Sequence, residues 1–215
     1  IMHQEMPKGN QKGQMHGFQL WSNLPSDQKM VNPRYQDIKS SDIPLLEDND
    51  GTKIRVITGT YKGVIGPVDG IASEPEYLDI YVPPNTKKVL QIDTYKSTFA
   101  YIFNGKALFK YSSNPVGIKI EKELDGREIN VRDLSGDKTL IYFDKGEYVE
   151  LQTFDFGVRF LLISGKAIKE PIAWHGPIVM NSRDELMQAL KDLKTGNFIK
   201  EIYNQKFKIN LGRKI

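Results

Sequence analysis

Phe99-Ala100-Tyr101-Ile102-Phe103-Asn104-Gly105-Lys106-Ala107-Leu108-Phe109-Lys110-Tyr111 is the stretch that decides the fold class. Two runs rich in aromatic and aliphatic residues flank Asn104-Gly105, a pair that tolerates the positive φ angles of a two-residue turn. The spacing predicts a β-hairpin with strands at 99–103 and 107–111. Upstream, Tyr77 to Val82 alternates, with Leu78, Ile80 and Val82 on one face, and Pro83-Pro84-Asn85 ends it. Ile54 to Ile57 is a shorter β-branched run stopped by Gly59. Downstream come Ile118 to Leu124, Thr139 to Phe143, Tyr148 to Leu151 and Val158 to Ile163. Turn residues such as Asp125-Gly126, Ser135-Gly136 and Asp144-Lys145-Gly146 separate them. Short strands at regular spacing with little helix predict an all-β protein, an antiparallel sandwich or barrel.

One helix stands apart from this pattern. Ser182-Arg183-Asp184-Glu185 fits a capping box, in which hydroxyl and carboxylate satisfy free amides at a helix start. Leu186, Met187, Ala189, Leu190 and Leu193 follow at helical spacing, and Gly196 suits the left-handed closing position. The spacing predicts a helix over about 183–195. Glu170 to Pro177 before it reads as an irregular apolar connection.

The N-terminal part is less regular. Lys8 to Gly17 reads as a polar loop, and Phe18-Gln19-Leu20-Trp21 alternates like a short strand ending at Asn23-Leu24-Pro25. Ser26 to Met30 suits one helical turn, and Asn32 to Gln36 should be extended, since the residue before proline avoids the α region. The acidic, turn-rich Ser40 to Gly51 reads as a linker, with a boundary near Leu46. Three parts are therefore expected: 1–46, a complete barrel at 47–170, and a C-terminal connection, helix and tail at 171–215.

Composition narrows the chemistry. The 215 residues contain no cysteine, which removes disulfides and thiolate metal sites or nucleophiles. No apolar run is long enough for a membrane helix, and no basic-then-apolar leader opens the chain, so a cytoplasmic location is expected. The formal net charge of +3 is uneven: between Lys200 and Ile215 five basic residues face Glu201 alone. Such a tail can meet phosphate backbones. Phe207, Ile209 and Leu211 alternate there with Lys206, Lys208 and Asn210, which favours a half-buried strand over a nucleic-acid arm. Phosphate-loop, dinucleotide, nucleophile-elbow and His-Glu-x-x-His motifs are absent from the sequence.

The candidate chemistry lies at His3-Gln4-Glu5. On an extended chain residues i and i+2 face the same way, so one imidazole and one carboxylate would point together. That pair suits a borderline divalent metal. The other histidines are His16, after a glycine-rich loop, and His175, beside Gly176-Pro177. Both read as structural or surface residues, with His175 hydrogen-bonded inside the C-terminal connection. The expected barrel contains no imidazole, and its carboxylates Glu74, Glu76 and Asp79 lack calcium-loop spacing.

Two long stretches resemble the pirin family. One is Ile1-Met2-His3-Gln4-Glu5-Met6-Pro7 through His16-Gly17-Phe18-Gln19-Leu20-Trp21-Ser22-Asn23-Leu24-Pro25. The other is Gly165, Ile168, Glu170-Pro171-Ile172 and His175-Gly176-Pro177-Ile178-Val179-Met180-Asn181. The resemblance implies a cupin-type fold with two barrels in tandem and iron in the N-terminal one. It implies four metal ligands, a His-x-His pair and then a His-x-Glu pair whose positions His3 and Glu5 occupy. The His-x-His strand would precede Ile1, so the chain reads as a pirin lacking most of its first barrel, with residual strands of that barrel in 1–46.

The activity implied is Fe(II)-dependent dioxygenation of flavonols such as quercetin, with His3 as ligand and Glu5 as both ligand and catalytic base. With two of four ligands, iron is expected to be absent or weakly held, and the chain alone inactive. The alternatives are a non-enzymatic module binding proteins or transcription regulators, or a folded product of a disrupted gene. Phe18, Leu20 and Trp21 would need a partner surface, so self-association through residues 1–46 is expected.

Overall fold

The computed structural model describes residues 9–110 and 134–199, with the backbone alone of 123–124 and 127–128. Two compact units divide the chain: Gln36–Ile168, and a second that combines Ile1–Tyr35 with Lys169–Ile215. The expected boundary at Leu46 falls inside the first strand of the larger unit.

That strand, β1 (Leu45–Glu47), pairs antiparallel with β2 (Lys53–Thr58) across a tight acidic turn. Next come β3 (Thr60–Tyr61) and β4 (Val64–Ile65), a small hairpin turning at Lys62-Gly63, where both residues have positive φ. The chain continues through β5 (Glu76–Val82), β6 (Lys87–Gln91), β7 (Ser97–Gly105) and β8 (Leu108–Lys110). Then follow β9 (Glu123–Leu124) and β10 (Arg127–Glu128), a two-residue pair, and β11 (Thr139–Tyr142), β12 (Tyr148–Gln152) and β13 (Val158–Gly165). Apart from β9, the strand expected from Ile118 lies outside the described residues.

Two antiparallel sheets form, ordered β1-β2-β5-β13-β7-β11 and β6-β12-β8. Alternation explains their packing. Ile54, Val56, Leu78, Ile80, Val82, Ala100, Ile102, Val158, Phe160 and Leu162 face inward from the first sheet. Leu90, Phe109, Val149 and Leu151 meet them from the second, and the Phe109 ring stands edge-on to Phe160 at 5.4 Å. Fully burying each large aliphatic or aromatic side chain contributes about 1.5–3 kcal/mol, which makes this apolar layer the main stabilising element. The all-β sandwich is as expected from the alternation.

Four local expectations are corrected. The runs flanking Asn104-Gly105 do not pair with each other: β7 lies between β13 and β11, while β8 pairs with β12. Asn104 and Gly105 are instead the last residues of β7, paired with Arg159 and Val158, and only Gly105 has positive φ, so the chain passes to the other sheet just beyond them instead of closing a hairpin. Phe18 to Trp21 forms no strand, and among the described residues no strand lies beside it to supply a ladder. Lys87 to Gln91, unassigned by pattern, is β6. The connection around Gly176-Pro177 is a true hairpin, β14 (Ala173–His175) with β15 (Ile178–Met180), turning at Gly176 with φ of 53°.

That hairpin belongs to the smaller unit, along with α1 (Arg183–Thr195). The predicted capping box forms in full: Ser182 and Glu185 satisfy each other's backbone amides, and Gly196 closes the helix at φ of 76°. Leu186 and Ala189 pack on Ile178 and Met180, whereas Met187 points to solvent and leaves the expected stripe. Ser26–Gln28 is a 3-10 turn, as expected. The basic tail 200–215 lies outside the described residues. Among the described residues no helix is long and apolar enough to cross a membrane.

Candidate functional site

His3 and Glu5 lie outside the described residues, so the structure brings nothing to that pair. His16 is exposed, its ring 5.1 Å from that of Phe18. His175 sits in β14, exposed, with its backbone opposite Ile178. Neither stands in a metal-type cluster, and among the described residues no three groups of His, Asp or Glu gather as one.

The barrel carboxylates singled out by sequence are each matched to a cation. Glu74 pairs with Lys166. Glu76 accepts from Ser164 at 2.9 Å and lies 3.4 Å from Lys96. Asp79 takes a two-pronged contact from Arg159, at 2.9 and 2.6 Å, and the same guanidinium lies over the Phe103 ring. A planar fork on a carboxylate is a strong, oriented contact, and it leaves Asp79 committed. With an apolar interior and carboxylates held by lysine or arginine, the described sandwich does not fit an iron site.

The densest ionic cluster was missed by sequence reading. Asp48 and Asp50 lie in the turn between β1 and β2, and buried Lys88 reaches both from an inward position of β6. Asp48 also accepts from Tyr61 Oη at 2.7 Å and Lys62 Nζ at 2.7 Å. Burial alone would raise the Asp48 carboxyl, but hydrogen bonds from Lys62, Lys88 and Tyr61 outweigh it and hold the group down at about 2. Asp50 is lowered in the same way, chiefly by Lys88 and Thr52 against burial, while burial and Asp48 raise the Tyr61 phenol. Two carboxylates facing two ammonium groups form a closed, neutral set. Its chemistry is that of a tie between turn and sheet.

In the smaller unit the conspicuous polar group is Glu170. Its Oε2 accepts from the Ser26 backbone N–H at 2.8 Å and from Asn181 Nδ2 at 2.7 Å. Asn181 Nδ2 also donates to the Pro171 carbonyl at 3.1 Å, closing the base of the β14–β15 hairpin. Glu170, from the second stretch of family resemblance, therefore holds the residue that directly follows the first.

Sandwich, hairpin and capped helix together define an all-β protein of the cupin class. The pirin C-terminal cupin domain matches residues 77–199. A pirin-like protein of Caulobacter vibrioides is 33% identical over 199 residues, covering 92% of this chain and 64% of the relative. Human pirin is 32% identical over 195 residues, covering 90% of this chain and 60% of the relative. The crystal structure of quercetin 2,3-dioxygenase from Acinetobacter baumannii superposes with a TM-score of 0.65 at 28% identity, over 82% of this chain and 54% of that one. The chain belongs to the pirin family. It spans roughly three fifths of the two curated relatives named and about half of the Acinetobacter enzyme.

Proposed function

We propose that the described sandwich is the non-metal half of a pirin-type flavonol dioxygenase, and that the reactive centre lies with His3 and Glu5 instead. The observation that carries this reading is the sandwich interior: Leu90, Phe109, Phe143, Leu151 and Phe160 fill it, and no imidazole enters it. A metal needs donors and an open position, and an apolar packed layer offers neither. The Acinetobacter neighbour bears the name of a quercetin 2,3-dioxygenase, which supports the same reaction class here.

In this reading His3 and Glu5 supply two of four ligands to Fe(II), which when bound provides the binding position for flavonol and dioxygen. Glu5 also takes the proton of the flavonol hydroxyl. Two ligands by themselves retain Fe(II) weakly, so firm iron binding and quercetin turnover call for the two further donors of the set. The test is iron content after reconstitution, with oxygen uptake on quercetin, for the chain and for His3→Ala. Substoichiometric iron and negligible uptake are expected. Stoichiometric iron unaffected by His3→Ala would remove His3 from the ligand set.

A second reading is an interaction module. It is favoured by apolar surface in the smaller unit, where Phe18, Leu20 and Trp21 are exposed. In this reading residues 1–46 pair with another copy or with a protein partner, and nucleic acid is not the ligand.

A further inference from the structure

The segment 9–35 is exposed at every position except Leu24, Pro25, Gln28 and Lys29, which are half-buried. Within it the 3-10 turn Ser26–Gln28 is the one helical element, and the segment carries no strand. The half-buried residues bracket Ser26, whose backbone N–H meets Glu170 Oε2. Burial lowers the Lys29 ammonium against the opposing pull of Glu170 and Glu185, and its Nζ donates to Asn23 Oδ1 at 2.8 Å. Glu170 therefore meets the segment where its half-buried residues lie.

We infer that Glu170 is a latch that fixes this segment to the base of the β14–β15 hairpin. The geometry has a specific consequence. Ser26 N–H and Asn181 Nδ2–H both donate to the same oxygen, Oε2, so hairpin closure and segment docking share one acceptor. A charged acceptor strengthens both bonds, and losing it removes the protein acceptor of Ser26 N–H and leaves Asn181 Nδ2 with the Pro171 carbonyl alone. Glu170 is thus a positioning residue for the N-terminal segment, independent of whether that segment carries a metal.

The test compares Glu170→Ala, Glu170→Gln and Asn181→Ala in the full chain, by tryptic cleavage after Lys29 and Arg34 and by amide exchange at Ser26. A glutamine carbonyl can replace Oε2 as a neutral acceptor for both donors, whereas alanine supplies none. Glu170→Ala is expected to speed cleavage and Ser26 exchange about tenfold, the loss of roughly one charge-assisted hydrogen bond. Glu170→Gln should stay within about threefold of the parent, and exchange at Ile80, Ile102 and Phe160 should not change. Unchanged cleavage in Glu170→Ala overturns the latch, as does acceleration shared equally by the sandwich amides. If Glu170→Ala does not fold, Asn181→Ala decides. Faster Ser26 exchange through a loosened Oε2 supports the latch, and exchange identical to the parent refutes the coupling.

Discussion

Lys88 occupies a position on β6 that alternation would give to an aliphatic residue, one step from Leu90 on the same inward face. Its ammonium is tolerated there because Asp48 and Asp50 meet it from the turn after β1. Lys88→Met would leave two carboxylates without their buried cation, and removing one partner of such a set costs about 3–5 kcal/mol. Asp48→Asn should be milder, since Tyr61 can still donate to the amide oxygen. The pH dependence follows from the depressed Asp48 carboxyl. A folded-state value of about 2 lies below the unfolded value, so its stabilisation is complete above about pH 5 and is lost as pH falls toward 2. Its size is roughly 2 kcal/mol. Urea titrations at successive pH values should show the parent losing stability across that window. Asp48→Asn should be weaker at pH 7 and flatter below it; a parent-like slope in Asp48→Asn would assign the acid sensitivity to another group.

At the level of elements, Asn104-Gly105 at the end of β7 shows how local chemistry and global pairing part company. Gly105 has φ of 79°, and a Cβ placed there would lie 2.1 Å from the Gly157 carbonyl oxygen. Gly105→Ala therefore meets both a left-handed backbone and a steric clash, and should cost at least about 1–3 kcal/mol in chemical denaturation. Asn104→Ala, exposed and free of that clash, should cost far less. The positive φ at Gly105 was legible from the glycine itself, but the two-residue turn was not realised, since Asn104 and Gly105 pair with Arg159 and Val158 of β13. Which strand β8 would join was not legible, because both edges of β7 are taken by β11 and β13, whose residues lie far along the chain. β6 escaped for a related reason: an inward lysine makes sense only with Asp48 and Asp50, 40 and 38 residues away. The ends of the helix, by contrast, were legible, since Ser182, Glu185 and Gly196 define them within its own sequence. The smaller unit's hairpin was missed because Gly176-Pro177 interrupts two three-residue strands too short to show alternation. Of the candidate site, the nomination of His3 and Glu5 rests on residue type and family alone, while Glu170, quoted as part of a motif, has a physical role that only the fold reveals.

For the whole molecule, the smaller unit presents large apolar side chains to solvent. Trp21 is 73% exposed, and Phe18, Leu20, Ile172 and Trp174 are exposed as well. The Trp174 indole N–H donates to the Gly176 carbonyl at 2.7 Å, so the polar edge of that ring is already satisfied. Large apolar side chains left to solvent mark contact surfaces, and aromatic residues contribute disproportionately where they become buried. We propose that Phe18, Leu20 and Trp21, within residues 1–46, associate between copies of this chain. Light scattering at high micromolar concentration should then give a mass above the 24.6 kDa of one chain, falling on dilution. Trp21→Ala combined with Phe18→Ser should lower that mass while leaving the thermal transition of the sandwich in place, because neither residue belongs to its buried core. A parent protein that stays strictly at the mass of one chain over the same range would refute self-association. It would also leave a different partner as the reason for the exposed tryptophans.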